Sequence, residues 1–246
     1  METIQPIALV TGAGRGIGAA CAQALARGGH HVVALSGSAP PLDELVAAIR
    51  AAGGSAEAAP CDVTDTAAVR QLIARLARLD VLVNNAGTNR PMPFVEVDEA
   101  TLDMLLDLNL RAAFIVAQAA ARKMAELKIA GSIINITSQM GHVGAPNRTV
   151  YCATKHALEG LTKAMAVELA PLGIRVNSVA PSFVETPMTA EFFRNTEFKD
   201  WVLNRIPLGR LGTLDEVAAA VEYLASPRAR FTTGTSIKVD GGWTAQ

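Results

Sequence analysis

The segment Thr11-Gly12-Ala13-Gly14-Arg15-Gly16-Ile17-Gly18 constrains the fold of this chain more than any other. It follows an apolar run, Pro6-Ile7-Ala8-Leu9-Val10, and opens an Ala-rich stretch, Ile17 to Arg27, that Gly28-Gly29 closes. A short apolar run bounded by glycines reads as a buried strand, and the stretch after the loop reads as a helix. Strand, glycine loop and helix in that order form a phosphate cradle. The glycines let a pyrophosphate approach the backbone, and the helix N-terminus supplies free N–H groups and a partial positive charge. Glycines also serve plain turns, so it is the flanking elements that point to a dinucleotide. The spacing is Gly-x3-Gly-x-Gly, and Gly14 adds a G-x-G-x-G reading of the same loop.

The same alternation continues to the far end of the chain. Apolar runs at 31–35, 81–83, 132–136, 174–179 and 235–239 read as strands, with a further short strand before Cys61. Between them, 41–52, 64–78, 98–127, 150–169 and 213–225 read as helices. Repeated βα units without a break in composition predict one α/β domain over residues 1–246, a doubly wound, seven-stranded parallel sheet flanked by helices. Composition agrees: 50% of residues are apolar but only 4% aromatic, so Ala, Val, Leu and Ile carry the core. One segment, 186–210, holds no strand and carries Phe192, Phe193, Phe198 and Trp201. It reads either as a lid over a substrate or as surface helices packing their aromatics on the body.

With 22 basic and 23 acidic side chains the net charge is −1, which argues against a general electrostatic grip on nucleic acid or an anionic membrane. The chain has no charge-free apolar run of about 18 residues, and its first residues lack the basic and apolar regions of a leader. Cys21, Cys61 and Cys152 are scattered and read as reduced thiols, so a cytoplasmic setting is expected. The histidines form no HxxxH pair, and no metal site is expected.

Chemistry first shows at Tyr151-Cys152-Ala153-Thr154-Lys155. Residues four apart share a helix face. A cation beside a phenol favours the phenolate, so Tyr151 is expected to titrate below the usual value of about 10 and to act as a proton donor and acceptor. An isolated Y-x3-K is more often a plain surface pair. Ser138 changes that reading, because it lies just past the fifth strand, at the carboxyl edge where open α/β sheets bind ligands. Its hydroxyl could hold a substrate oxygen against Tyr151. Gln139 and His142 follow at the same edge and are candidate substrate contacts, whereas Cys152 points about 100° away on the helix.

With these residues in place, the whole chain resembles the short-chain dehydrogenase/reductase family, in its single-domain Rossmann-fold branch. Thr11 to Gly18 matches the TGxxxGxG loop, and Asp80 to Gly87, reading DVLVNNAG, matches the motif of the fourth strand. Asn109, Ser138, Tyr151 and Lys155 match the catalytic set in order and spacing. Pro181 to Thr186 resembles the PGxxxT segment, with Ser182 where glycine is usual.

The resemblance implies roles residue by residue. Tyr151 is the acid/base, Lys155 lowers its pKa and binds the nicotinamide ribose, and Ser138 orients the substrate oxygen. Asn109 holds a water that links Lys155 to solvent. Gly12, Gly14, Gly16, Ile17 and Gly18 cradle the pyrophosphate, Asp62 and Val63 flank the adenine, and Asn84 supports the sheet edge. Asn85, Ala86, Gly87, Pro181, Val184 and Thr186 line the nicotinamide end, with Thr186 on the carboxamide. Ser182 and Phe192 join Gln139 and His142 as candidate substrate contacts.

The nucleotide preference follows from the end of strand two, Leu35-Ser36-Gly37-Ser38. An NAD-dependent site of this kind places an acid there for the ribose 2′-hydroxyl. No acid occurs before Asp43, Arg15 in the glycine loop can reach a 2′-phosphate, and Ser36 can add a hydrogen bond. NADP(H) is therefore expected, with some use of NAD(H). The expected activity interconverts a small ketone and a secondary alcohol by hydride transfer. The alternative is a catalytically weak dinucleotide sensor of the same fold. By resemblance, the two long helices at 98–127 and 150–169 are the ones used for assembly, and a homotetramer is expected.

Overall fold

The computed structural model describes residues 5–185, 189 and 192–246, and of residue 192 the backbone alone. The expectations for Thr186 and for the Phe192 side chain lie outside the described residues.

Seven parallel strands form one sheet in the order β3-β2-β1-β4-β5-β6-β7. They are β1 (Ile7–Thr11), β2 (His31–Ser36), β3 (Ser55–Pro60), β4 (Val81–Asn84), β5 (Ser132–Ile136), β6 (Arg175–Pro181) and β7 (Ser236–Val239). The chain steps outward one way from β1 and, after β3, crosses back to β4 and steps outward the other way. β1 pairs with both β2 and β4, for example Leu9 with Val33 and with Leu82. The order reverses beside β1, and the crevice beyond the carboxyl ends of β1 and β4 is where such a sheet takes a ligand.

Period-two alternation sends side chains to two cores. On one face Val10, Ala34, Val83, Ile134 and Val179 pack against α1 (Gly16–Arg27), α2 (Ala39–Ala51) and α8 (Leu214–Ala225). On the other, Leu9, Val33, Leu82, Ile133 and Val176 pack against α3 (Thr66–Arg75), α5 (Ala112–Glu126) and α6 (Thr149–Leu169). Helix ends are set locally. Asp65 caps α3 by accepting from the amides of Ala67 and Ala68, and Thr213 and Glu216 form a capping box on α8. α3 stops at Arg75, short of the expected Arg78. Arg78 instead turns onto Asp80, whose carboxylate also accepts from the amide of Ile7 at 2.8 Å.

The expected helix at 98–127 has the right span but not a uniform geometry. It runs as α4 (Glu99–Leu106), a wide π turn over Asp107–Arg111, and α5. By length and a mean hydropathy of 1.4 this continuous helix is apolar enough to cross a bilayer. Val116, Ala117, Ala120 and Met124 are nonetheless buried against the sheet, which accounts for the apolar face. The last helix in this numbering, α7 (Thr196–Leu203), lies in the segment that breaks the βα rhythm.

Candidate active site

A cleft of about 660 Å³ opens at the reversal of strand order. Its walls include Gly12, Gly14, Arg15, Gly16, Ile17, Gly18, Ser36, Asp62, Val63, Asn85, Ala86, Gly87, Pro181 and Val184 from the expected cofactor set. Ser138, Tyr151, Lys155 and Ser182 line the same cleft. The glycine loop is tight because the backbone demands it. Gly12 has φ +62°, and a Cβ on Gly18 would lie 2.2 Å from the Gly12 carbonyl oxygen, so α1 starts almost in contact with the loop. Asn85 Nδ2 donates to the carbonyls of Thr11 and Gly12, at 2.9 and 3.2 Å. Thr11 Oγ1 in turn accepts from the amides of Asn85 and Ala86. Thr11 is thus a functional residue that the motif contained but whose role the sequence reading did not assign. Asn84 supports the sheet edge as expected, donating to the carbonyl of Ala113 at 2.8 Å and to Asn135 Oδ1 at 3.2 Å.

At the inner end, Tyr151 and Lys155 sit one turn apart on α6. Lys155 Nζ lies 5.5 Å from the Tyr151 ring centre and donates to the carbonyl of Ile136 at 2.9 Å. Ser138 Oγ accepts from the amide of Met140 at 3.1 Å, which aims the residue into the cleft wall that Tyr151 shares. The electrostatics differ from expectation. Burial dominates and pushes the Tyr151 phenol up to about 12, with the Ser138 hydroxyl pulling the other way. Burial also lowers Lys155 to about 8, opposed by the charge of Glu159. The phenol is therefore a neutral proton donor near pH 7, and Lys155 is the group whose charge changes close to neutrality.

Asn109 lies in the π turn, fully buried, and its side chain does not face the cleft. Oδ1 accepts from the amide of Thr88 and Nδ2 donates to the Thr88 carbonyl, both at 2.8 Å. With Thr154 as a third partner at 3.4 Å, the carboxamide has little capacity left for a water. Gln139 and His142 also differ from expectation. Gln139 is 2% exposed, and His142 turns inward to Ser236 Oγ at 3.0 Å, so neither lines the cleft. The short turn Gln139–Gly141, capped by Ser138, reverses the chain and carries both away from the opening.

The aromatics of the 193–201 segment pack beside Tyr151. Phe193, Phe198 and Trp201 cluster with Phe183, Trp243, Met140 and Tyr151. Phe198 and Trp201 stack at 5.8 Å, and Trp201 meets Trp243 edge-on at 5.7 Å. Arg148 and Arg205 lie over the Phe198 and Trp201 rings. The aromatics thus pack on the body as the second reading of this segment expects, in a cluster that includes Tyr151.

The cleft fits a dinucleotide on its own geometry. A Cβ on Gly87 would lie 3.1 Å from Asn109 Oδ1 and 3.8 Å from Lys155 Nζ, filling the space in front of the lysine. Ser182 Oγ is buried in the same wall with no partner among the described residues, which leaves a donor and acceptor for a bound amide or hydroxyl.

Comparison with known proteins agrees. A family model described as "Enoyl-(Acyl carrier protein) reductase" matches residues 12–244. The L-xylulose reductase of Bos taurus is 42% identical over 238 residues, covering 97% of this chain and 96% of that protein. Gluconate 5-dehydrogenase of Gluconobacter oxydans is 39% identical over 241 residues, 96% and 94% of the two chains. The crystal structure of a gluconate 5-dehydrogenase from Burkholderia cenocepacia, in complex with NADP and tartrate, superposes with a TM-score of 0.94 at 38% identity. That match covers 98% of this chain and 96% of the other. A whole-length match in sequence and fold, over a cleft that brings the glycine loop to Ser138, Tyr151 and Lys155, makes this chain a member of the short-chain dehydrogenase/reductase family, the NAD(P)-dependent oxidoreductases of CH–OH groups.

Proposed function

We propose that this enzyme reduces a small hydroxylated ketone to the secondary alcohol with NADPH and runs the reverse with NADP⁺. The observation that carries the proposal is the convergence of Ser138, Tyr151 and Lys155 on the inner end of the dinucleotide cleft, with Lys155 Nζ 5.5 Å from the Tyr151 ring centre. The nicotinamide supplies or takes the hydride. Everything else belongs to the chain. Tyr151 Oη, kept protonated by burial, gives its proton to the carbonyl oxygen as that oxygen gains charge. Ser138 fixes the same oxygen, and the buried Lys155 charge stabilises the phenolate left behind. Asn109 holds the Gly87–Thr88 backbone open in front of Lys155.

Arg15 and Ser36 at the outer end favour a 2′-phosphate, in keeping with the NADP held by the Burkholderia relative. NAD(H) is the slower alternative. Substrates of the sugar, polyol and sugar-acid kind are the ones the relatives' names indicate. A homotetramer is supported by the apolar groove between the α4–α5 helix and α6. Met104, Leu110, Phe114 and Leu161 line it, and Phe114 is 46% exposed. The unpaired cysteines favour a cytoplasmic setting. The test is oxidation of NADPH against a panel of ketoses, keto-acids and simple diketones. Binding of the nucleotide with no turnover on any of them overturns the proposal in favour of a sensor.

A further inference from the structure

Behind the cleft a second group is built as carefully as the first. Glu159 lies on α6 one turn beyond Lys155, and only 5% of it is exposed. Three hydroxyls donate to its carboxylate and an imidazole lies beside it. Thr137 Oγ1, Ser236 Oγ and His142 Nε2 lie 2.5, 3.0 and 3.2 Å from Oε1, and Ser178 Oγ lies 2.8 Å from Oε2. A carboxylate this deep persists only because it is so fully hydrogen-bonded. Its partners are not random. Ser178 and Ser236 sit on β6 and β7, while Thr137 and His142 bracket the catalytic loop. Thr137 immediately precedes Ser138, and His142 follows the turn that Ser138 caps. That turn rides on α6 itself. A Cβ on Gly141 would lie 2.9 Å from the Lys155 carbonyl oxygen and 3.1 Å from Glu159 Cγ.

We propose that Glu159 is a positioning residue of the reaction: its buried carboxylate fixes the Ser138 loop from both sides and stands as a counter-charge one turn beyond Lys155 on the same helix. Uncovering a buried charge of either sign is costly, so Lys155 and Glu159 on one helix face stabilise each other. Among the described residues, the titratable groups facing this pair are His142 from the loop after β5 and Tyr151 from α6 itself, with Arg148 beyond it. β6 and β7 offer only the hydroxyls of Ser178 and Ser236. Since Lys155 is lowered by burial and supported by Glu159, loss of the carboxylate removes that support.

This inference rests on the proposed roles of Tyr151 and Lys155. The test compares the pH profile of kcat for ketone reduction in the wild-type enzyme and Glu159→Gln, which keeps the shape and removes the charge. The alkaline limb should move about one pH unit lower, as expected for loss of an opposite charge nearby, and the rate at about pH 8 should fall about fivefold. Hydrogen exchange across residues 137–143 should quicken. The limb shift should persist in a His142→Asn background, which removes the imidazole from the profile. An unmoved limb in either background overturns the proposal, whatever the loss of rate, because loss of structure alone lowers kcat without moving a pKa. Where Glu159→Gln does not fold, Glu159→Asp decides. It keeps the charge on a shorter stem, so kcat should fall with the limb in place, and a limb displaced by a full unit overturns the proposal. Tyr151→Phe is run alongside. Turnover near wild type there sinks the catalytic reading itself, and this inference with it.

Discussion

Asn109 pairs both ends of its carboxamide with one residue, accepting from the Thr88 amide and donating to the Thr88 carbonyl, each at 2.8 Å. The pairing joins the π turn to the loop after β4 and holds Gly87 beside Lys155. π turns concentrate at functional sites, and this one sets the position of the wall in front of the lysine. Replacing Asn109 with Ala leaves two part-buried backbone groups of Thr88 without their partners, at up to about 1–3 kcal/mol each. Asn109→Ala should therefore lower the urea midpoint and kcat together. An unchanged midpoint with lost activity would show that the carboxamide works through the chemistry alone.

Tyr151→Phe should fold, bind NADP⁺ as tightly as the wild type and lose about 10²–10⁴-fold in kcat, the usual worth of a placed acid/base. Nucleotide titration and steady-state kinetics on one sample check both halves.

The pH dependence is set by Lys155. Its pKa is lowered to about 8, whereas the Tyr151 phenol is raised to about 12. Below its pKa the lysine is an ammonium and can stabilise the phenolate left by proton transfer; above it that charge is gone while the phenol is still protonated. Ketone reduction should fall as pH rises through about 8, well before the phenol ionises. A profile of kcat between about pH 6 and pH 10 reads it directly. A limb at the alkaline end of that range would assign the titration to another group.

Much of this was legible in the residues, for identifiable reasons. Six strands are mostly apolar runs bounded by turn residues and were placed with ends off by no more than a few positions, whereas β3, Ser55-Ala56-Glu57-Ala58-Ala59-Pro60, was legible only as a short strand before Cys61. The cofactor wall was legible because the glycine loop must follow β1 and the Asn85–Gly87 turn must follow β4, its neighbour in the sheet. Other features were hidden. Side-chain periodicity does not show a π turn, because one extra residue in a helical turn leaves the apolar face nearly intact. Closeness in sequence suggested that His142 faces the substrate, yet a three-residue turn is enough to send it inward to Ser236. Glu159 stands four residues past Lys155, the same spacing that exposed Tyr151 and Lys155. A charged residue on the buried face of α6 was the available signal. The Tyr151 phenol was expected to fall because the cation was visible in the sequence and the depth of burial was not.

The aromatic cluster should behave as both wall and support. Trp201 stacks on Phe198, meets Trp243 edge-on and carries Arg205 over its face at 4.0 Å. Trp201→Ala should cost about 3–5 kcal/mol if the ring is as well packed as a core residue, and less in proportion to its exposure. Because the cluster also packs on Tyr151, KM for bulky substrates should rise along with the loss of stability. A change in melting temperature with unaltered KM across substrate sizes would leave the cluster a purely structural element.

The last prediction concerns the choice of nucleotide. Ser36 ends β2 and lines the outer cleft together with Arg15, Gly37 and Ser38. The Ser36 hydroxyl would lie 3.5 Å from a Cβ built on Gly14, so it stands directly over the glycine loop. No carboxylate follows β2 before Asp43, and Arg15 is exposed and available to a phosphate. Ser36→Asp puts a negative charge where the 2′-phosphate is expected and offers acceptors to a 2′-hydroxyl instead. A like charge at contact distance costs on the order of 1–4 kcal/mol in a partly solvated cleft, or roughly 5- to 1000-fold in affinity. The kcat/KM for NADPH should drop by about that factor while the value for NADH rises, so the preference inverts. Arg15→Ala should weaken NADPH binding alone, by a smaller factor, since it removes attraction without adding repulsion. The comparison is made at fixed substrate with both nucleotides. Equal losses for NADPH and NADH in Arg15→Ala would move the arginine from the 2′-phosphate to the pyrophosphate, and a Ser36→Asp enzyme that still preferred NADPH would place the adenosine ribose elsewhere.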